Sequence, residues 1–190
     1  MVPWVTQGLP VAGNVLEIGG GSGAMAEAIA RVHPQVHLTT TDADPAMVKA
    51  AQRRLARLPT AQARRADATR LPFNDQSFDM VLSFLMLHHV IEWEHAVTEA
   101  ARVLRPGGSF VGYDLLASRL ASLVHVADRS AHRLIEPATF EPVLAQAGLG
   151  PLRVRVSFGG RVLRFIAQKP DIVQDDPGSD KDAPASKSHG

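Results

Sequence analysis

Apolar residues along this chain fall into two alternating rhythms. Val15, Leu16 and Ile18 form a short continuous run, and Phe78 to Phe84 a longer one. Runs of this kind predict strands buried on both faces of a parallel sheet. Val36 to Thr41 alternates and is rich in β-branched residues, which predicts a further strand. Ala24 to Arg31, Pro45 to about Arg57 and Glu92 to Leu104 carry apolar residues at helical spacing instead. In the second of these helices Met47, Val48, Ala51 and Leu55 mark the inner face.

Breakers and caps set the limits of these elements. Ser22 is placed to cap the first helix, and His33-Pro34 ends it. Asp44 directly before Pro45 reads as a cap followed by proline in the first turn. Thr60 to Ala66 predicts a strand with a polar middle, and Asp67 to Gln76 a loop. Pro106-Gly107-Gly108 stops the third helix, and Ser109 to Tyr113 predicts a fifth strand. Helices follow over Leu115 to Ile135 and Pro137 to Ala147, the latter capped by Gly148. Pro151 to Phe158 and Arg161 to Gln168 form a hairpin turning at Gly159-Gly160. Strands alternating with helices predict an α/β fold, a doubly wound, mostly parallel seven-stranded sheet with a C-terminal antiparallel hairpin. One domain is expected over residues 1–169, and a disordered acidic tail over 170–190, where Pro, Asp, Ser and Lys prevail.

Composition narrows the chemistry. With no cysteine, disulfides, thiolate zinc sites and a cysteine nucleophile are excluded, and no metal ligand set stands out. Net charge is +1, with about −3 carried from Asp171 onward and about +4 by the body, which argues against a nucleic-acid partner. Arg53, Arg54, Arg57, Arg64, Arg65 and Arg70 cluster in sequence without interleaved aromatics, so a solvated face is expected there. The longest apolar runs are too short to span a bilayer, and MVPWVTQGLP lacks the pattern of a secretion signal. A cytoplasmic protein is the expectation.

The chemistry centres on NVLEIGGGSG, Asn14 to Gly23, a strand, a glycine turn and a helix start in direct succession. Glycines allow positive φ and let backbone lie against a ligand. In a doubly wound sheet the ligand belongs at the carboxyl ends of the strands. The glycine loop, Asp42, Asp67 and Ser83-Phe84 all fall at such ends.

With these residues in view, the chain resembles the class I S-adenosylmethionine-dependent methyltransferases, and within them the small-molecule group that includes quinone biosynthesis. The resemblance runs from residue 14 to 168 on VLEIGGGSG, TTDADPAMV, ADATRLPF, FDMVLSFLMLHHV and RVLRPGG, in that order. It implies S-adenosylmethionine as cofactor. Gly19, Gly21 and Gly23, with Gly20 among them, would approach its methionyl part, and Glu17 would lie near the ammonium or steady the loop. Asp42, with Ala43 beside it, would take the ribose hydroxyls through charge-assisted bonds. Met47 would flank the adenine, and Asp67 and Ala68 would read its edge. Ser83 and Phe84 would pass the methionine end.

Transfer from a sulfonium needs alignment above all, and a base only where the acceptor must lose a proton. His88 and His89 have a pKa suited to that task, although a structural role outweighs a catalytic one for them. Tyr113 is a further candidate, as are Asp114, His125 and His132. An Asn-Pro-Pro-Tyr type element is absent, Ser-Phe-Leu-Met standing in its place. This favours an oxygen or carbon of a small, apolar acceptor. About a dozen residues precede the first strand, too few for the helices that cover substrate in similar enzymes. Leu115 to Ile135, or a second copy of the chain in a homodimer, could take over that role. A cofactor-binding module without catalysis and a nicotinamide enzyme are the competing readings.

Overall fold

The computed structural model describes residues 12–117, 133–157 and 159–171. In chain order the elements are β1 (Gly13–Ile18), α1 (Ala24–Val32), β2 (Val36–Asp42), α2 (Pro45–Leu55), β3 (Ala61–Arg65) and β4 (Phe78–Phe84). A 3-10 turn (Leu87–His89), α3 (Trp93–Val103), β5 (Leu104–Leu115), α4 (Pro137–Gln146), β6 (Gly150–Ser157) and β7 (Val162–Gln168) follow. The seven strands lie in the order β3-β2-β1-β4-β5-β7-β6, with the first five parallel and β7 antiparallel to both its neighbours. Strand order reverses between β1 and β4, and this is where an α/β sheet opens a crevice for ligand.

Each face of the sheet is sealed by its own helices. Val15, Met80, Leu82 and Val111 pack under α1 and α2 through Ala26, Ile29, Ala51 and Leu55. Leu16, Ile18, Val81 and Phe110 pack under α3 and α4 through Trp93, Val97, Phe140 and Leu144. The side-chain alternation of β1 and β4 thus feeds two cores, which is why those strands read as continuous apolar runs.

Three local expectations are corrected. The N-cap of α1 is Gly23 in the left-handed region, with no side-chain cap, so Ser22 does not serve. Met47 is 41% exposed and is not part of the inner face of α2, which Val48, Ala51 and Leu55 supply. The Arg105–Gly108 stretch lies within β5 as a register shift between Phe78↔Leu104 and Met80↔Ser109. A bulge absorbs the extra residues, with Gly107 at φ 74. The helix expected over residues 115–135 and the acidic tail fall mostly outside the described residues. So do His125 and His132. Leu116 and Ile135 bracket that segment and join in a parallel bridge. Among the described residues no helix is long and apolar enough to cross a membrane.

Candidate functional site

A cavity of about 690 Å³ opens at the carboxyl rim, beside the point where strand order reverses. Gly19 from the turn after β1 lines it, as do Thr41 to Asp44 at the end of β2 and Ala66 to Ala68 after β3. Leu85, Met86, His89 and Val90 after β4 complete the wall, and Met47 from α2 forms part of the rim. Pockets for drug-sized molecules span about 300–1,000 Å³ and are mostly apolar with a few placed polar groups. This one has an apolar wall and three aspartates, Asp42, Asp44 and Asp67.

The glycine turn is built by conformation at some positions and by space at others. Gly19, Gly21 and Gly23 have φ of 65, 54 and 78, a region L side chains rarely adopt. Gly20 is different: a Cβ there would lie 1.9 Å from Thr40 Oγ1 and 2.5 Å from Glu17 Oε2. Glu17 itself, 2% exposed, lies beneath the turn and accepts a bond of 2.7 Å from the Thr40 hydroxyl. Of the two roles implied by resemblance, this position fits steadying the loop.

Burial pushes the Glu17 carboxyl up to about 7; the Thr40 hydroxyl pulls it down and Asp42 nearby adds to the rise. Near pH 4 both folded and unfolded chains hold this proton. As pH climbs toward 7 the unfolded chain ionises first, so stability falls by on the order of 3 kcal/mol and stays lower above pH 7. Glu17→Gln has no such ionisation. Its urea midpoint is expected to match the wild type near pH 4 and exceed it at pH 8; equal midpoints at both pH values would refute this.

Asp42 is held in a fixed position. Its Oδ2 accepts from the Gly21 N–H at 2.9 Å and its Oδ1 from the Asp44 N–H at 2.9 Å. Asp44 performs the capping of α2, accepting from the Ala46 N–H at 2.7 Å. Asp42 is therefore free of the cap and stands in the cavity wall. Asp67 Oδ1 accepts from both the backbone N–H and the hydroxyl of Thr69, at 2.9 and 2.8 Å. Its neighbour Ala68 lines the same wall.

Other expected residues lie elsewhere. Gly20, Gly21, Gly23 and Glu17 form the turn or its support rather than the cavity wall. Ser83 is fully buried and Phe84 half-buried, and neither lines the cavity. His88, proposed as a base, is buried with Nδ1 against the carboxylate of Asp114. Asp114 does not face the cavity either: it is 0% exposed, and its Oδ2 accepts the Met86 and Leu87 N–H groups at 3.1 and 2.7 Å. The pair pins the segment that forms one cavity wall, a positioning role. Tyr113 also stands off the cavity, packed on Phe84 with ring centroids 5.2 Å apart. Burial holds its phenol above the usual range, which makes it a poorer base. Of the three catalytic candidates, only His89 reaches the cavity.

Leu85 is the feature sequence reasoning missed. It follows β4 at φ 52, 40% exposed in the cavity wall, with its N–H bonded to the Tyr113 carbonyl at 2.9 Å. Leucine in the left-handed region is uncommon, and such strain collects at functional sites. No sequence signal marks it.

Comparison with known proteins gives a consistent result. A demethylmenaquinone methyltransferase from Clavibacter sepedonicus is 35% identical over 138 residues, covering 64% of this chain and 56% of that protein. A phthiotriol/phenolphthiotriol dimycocerosates methyltransferase from Mycobacterium tuberculosis is 39% identical over 102 residues, covering 54% and 37%. The chain thus spans about half the length, or less, of these curated relatives. Among solved structures, the YcgJ protein of Bacillus subtilis superposes with a TM-score of 0.76 at 19% identity, covering 88% of this chain and 96% of that one. A geranyl diphosphate C-methyltransferase from Streptomyces coelicolor gives 0.77 at 14% identity, covering 87% and 75%. These structures share the fold. The family model for the methyltransferase domain matches residues 16–112, just over half of the chain's 190 residues, and the chain belongs to that family.

Proposed function

We infer that this protein transfers a methyl group from S-adenosylmethionine to an oxygen or carbon of a small, apolar acceptor. The observation that carries this reading is the convergence of Gly19, Asp42, Met47, Asp67 and Ala68 on one cavity at the sheet's reversal point. The residues suit a nucleoside. A turn in which a Cβ at Gly21 would meet nothing within 4 Å leaves room for a ligand, two carboxylates offer acceptors for hydroxyl and amino groups, and Met47 offers an apolar face. Bound there, S-adenosylmethionine supplies an activated methyl whose departure needs no proton.

The chain's own residues would then act by holding. Asp42, fixed by two backbone N–H groups, is poised for the ribose hydroxyls without reorganising. Asp67 and Ala68 would take the adenine edge, and Met47 its face. Gly19 and Gly21 would admit the methionyl end, while Glu17 steadies the turn from below. Leu85, Met86 and Val90 would present an apolar wall to the acceptor. His89 is the residue in reach of an acceptor proton. Demethylmenaquinone and phthiotriol methyltransferases are similar to this chain, which supports an apolar acceptor. A cytoplasmic location, small-molecule rather than nucleic-acid partners, and a homodimer that closes the open cavity belong to this same proposal.

Calorimetry tests it. S-adenosylhomocysteine is expected to bind the full chain and NAD to fail. Asp42→Ala should weaken S-adenosylhomocysteine by about 100-fold, since two charge-assisted bonds are lost at roughly 1.5 kcal/mol each. Unchanged affinity in Asp42→Ala would refute the site. A methyl-release assay across phenols, quinones and lipids then separates an enzyme from a binding module.

A further inference from the structure

The turn that carries Asp67 and Ala68 is suspended between two anchors. On its β2 side the Ala66 N–H donates to the Asp42 carbonyl at 3.1 Å, and Arg65 Nε donates to the Ala43 carbonyl at 3.1 Å. On its far side the chain is taken up by α3. Arg102 Nη2 donates to the Leu71 carbonyl at 3.0 Å, and its Nη1 donates to the Phe73 carbonyl at 2.8 Å. Glu99, one turn earlier on the same helix, accepts the Leu71 N–H on Oε2 at 2.7 Å. Between the anchors the turn is closed by the Arg70 N–H on the Asp67 carbonyl at 3.1 Å.

Arg102 is committed in full. Besides the two carbonyls it forks onto Glu99, Nε to Oε1 at 2.7 Å and Nη2 to Oε2 at 2.8 Å, and Nη1 reaches Asp75 Oδ1 at 2.7 Å. These contacts use all five donors that a guanidinium possesses. Forked, charge-assisted bonds fix direction as well as distance. The Arg102 bonds hold the Glu99 carboxyl below the usual carboxylate range despite its partial burial, so the clamp stays ionised at neutral pH. Apolar packing adds to the anchor, since Leu71 is buried and Phe73 meets Phe78 edge-on with ring centroids 5.0 Å apart. Such contacts are non-directional, however, and a site that reads hydrogen bonds needs its groups held to within about 0.5 Å.

We propose that Arg102, with Glu99, is the positioning residue for base selection, holding the Asp67–Ala68 edge so that the site takes a 6-amino purine and rejects its 6-oxo counterpart. Neither residue lines the cavity, so both act through the turn. The proposal rests on the cofactor reading given above. Adenine presents an amino donor beside a ring-nitrogen acceptor, which suits the Asp67 carboxylate and the Ala68 N–H. Hypoxanthine presents an oxygen acceptor beside a ring N–H, so both contacts fail against a fixed edge. A loosened edge can turn its groups to meet the wrong base, and its preference fades.

The test is calorimetric titration of S-adenosylhomocysteine and S-inosylhomocysteine into the full chain, as wild type, Arg102→Lys and Glu99→Gln. The wild type should prefer S-adenosylhomocysteine by about 100-fold or more. Arg102→Lys keeps the charge but cannot fork, and its preference should fall by about tenfold or more. Glu99→Gln keeps the shape and one acceptor for Leu71, so its preference should fall by a smaller factor, about threefold. Amide hydrogen exchange without cofactor gives a second readout. The N–H groups of Thr69, Arg70 and Leu71 should exchange about tenfold faster in Arg102→Lys, while those of β1 and β4 keep wild-type rates, which also shows that the variant is folded. Should Arg102→Lys fail to fold, Glu99→Gln decides the question by the same two measurements. A variant that loses stability yet keeps the wild-type preference within twofold overturns the proposal, because the clamp is then structural only. Equal binding of the two nucleosides by the wild type overturns it as well. Failure of the wild type to bind S-adenosylhomocysteine refutes the cofactor site itself, whereas binding with the preference intact in both variants leaves that site standing and removes only the clamp.

Discussion

Replacing Asp114 by alanine is expected to destabilise this protein by about 3–5 kcal/mol, the range for breaking a buried charged pair. Its carboxylate is fully buried and accepts three backbone N–H groups, from Met86, Leu87 and Leu115, as well as facing His88 Nδ1. Removing it leaves those donors without their acceptor in a buried site, and each orphaned group costs about 1–3 kcal/mol. Part of that is recovered by local loosening, so the sum stays below the additive limit. The loosening falls on residues 85–90, a wall of the cavity, so affinity for S-adenosylhomocysteine should drop together with stability. Asp114→Asn keeps one acceptor oxygen and should lie between wild type and alanine. Urea unfolding measures the first effect and calorimetry the second. An alanine variant within 1 kcal/mol of wild type would show that the pair is dispensable.

A graded response is expected along the glycine turn, and its order separates two physical causes. Gly21→Ala introduces a left-handed alanine into open space, since nothing lies within 4 Å of the added carbon. Only the conformational cost applies, about 1–2 kcal/mol. Gly19→Ala combines the same cost at φ 65 with a carbon 1.8 Å from Met86 Cγ and 2.8 Å from its Cβ, atoms at the root of a buried side chain that cannot simply swing aside. Gly20→Ala meets no φ penalty, yet its carbon collides with Thr40 Oγ1 and Glu17 Oε2. Both are buried, and parting them breaks the bond that satisfies a carboxyl with almost no access to water. Gly20→Ala should therefore be far more damaging than Gly21→Ala despite its ordinary φ, at about 3 kcal/mol or more, with S-adenosylhomocysteine binding lost as well. Thermal unfolding of the three variants gives the order directly. If Gly21→Ala is the worst and Gly20→Ala is tolerated, the turn is governed by dihedral preference and not by the buried Glu17–Thr40 contact.

These two predictions rest on contacts of different legibility. The glycine run announces itself in sequence, but the reasons for its glycines do not. Gly19 and Gly21 are there for φ, whereas Gly20 is there because Thr40, twenty residues on, lies beside Glu17 on the neighbouring strand. His88 illustrates the opposite failure. Its residue type and position after β4 keep a base among the candidates beside a structural role, and only the pairing of β4 with β5 reveals that Asp114 is its partner. Asp44 was legible in full, because a cap and the proline after it act within one helical turn.

By itself, the sequence determined the alternation of strands and helices, the glycine turn, the cap at Asp44 and the closing hairpin. Each depends on interactions among residues a few positions apart, and periodicity records those directly. The tertiary structure alone decided which side of the sheet each strand residue faces, and therefore that Glu17 supports the turn and that His88 is bound to Asp114. Such pairings are set by a strand order of β3-β2-β1-β4-β5-β7-β6. That order brings together residues far apart in the chain, 65 positions for Asn14 and Asp79, and no local pattern encodes contacts of that range.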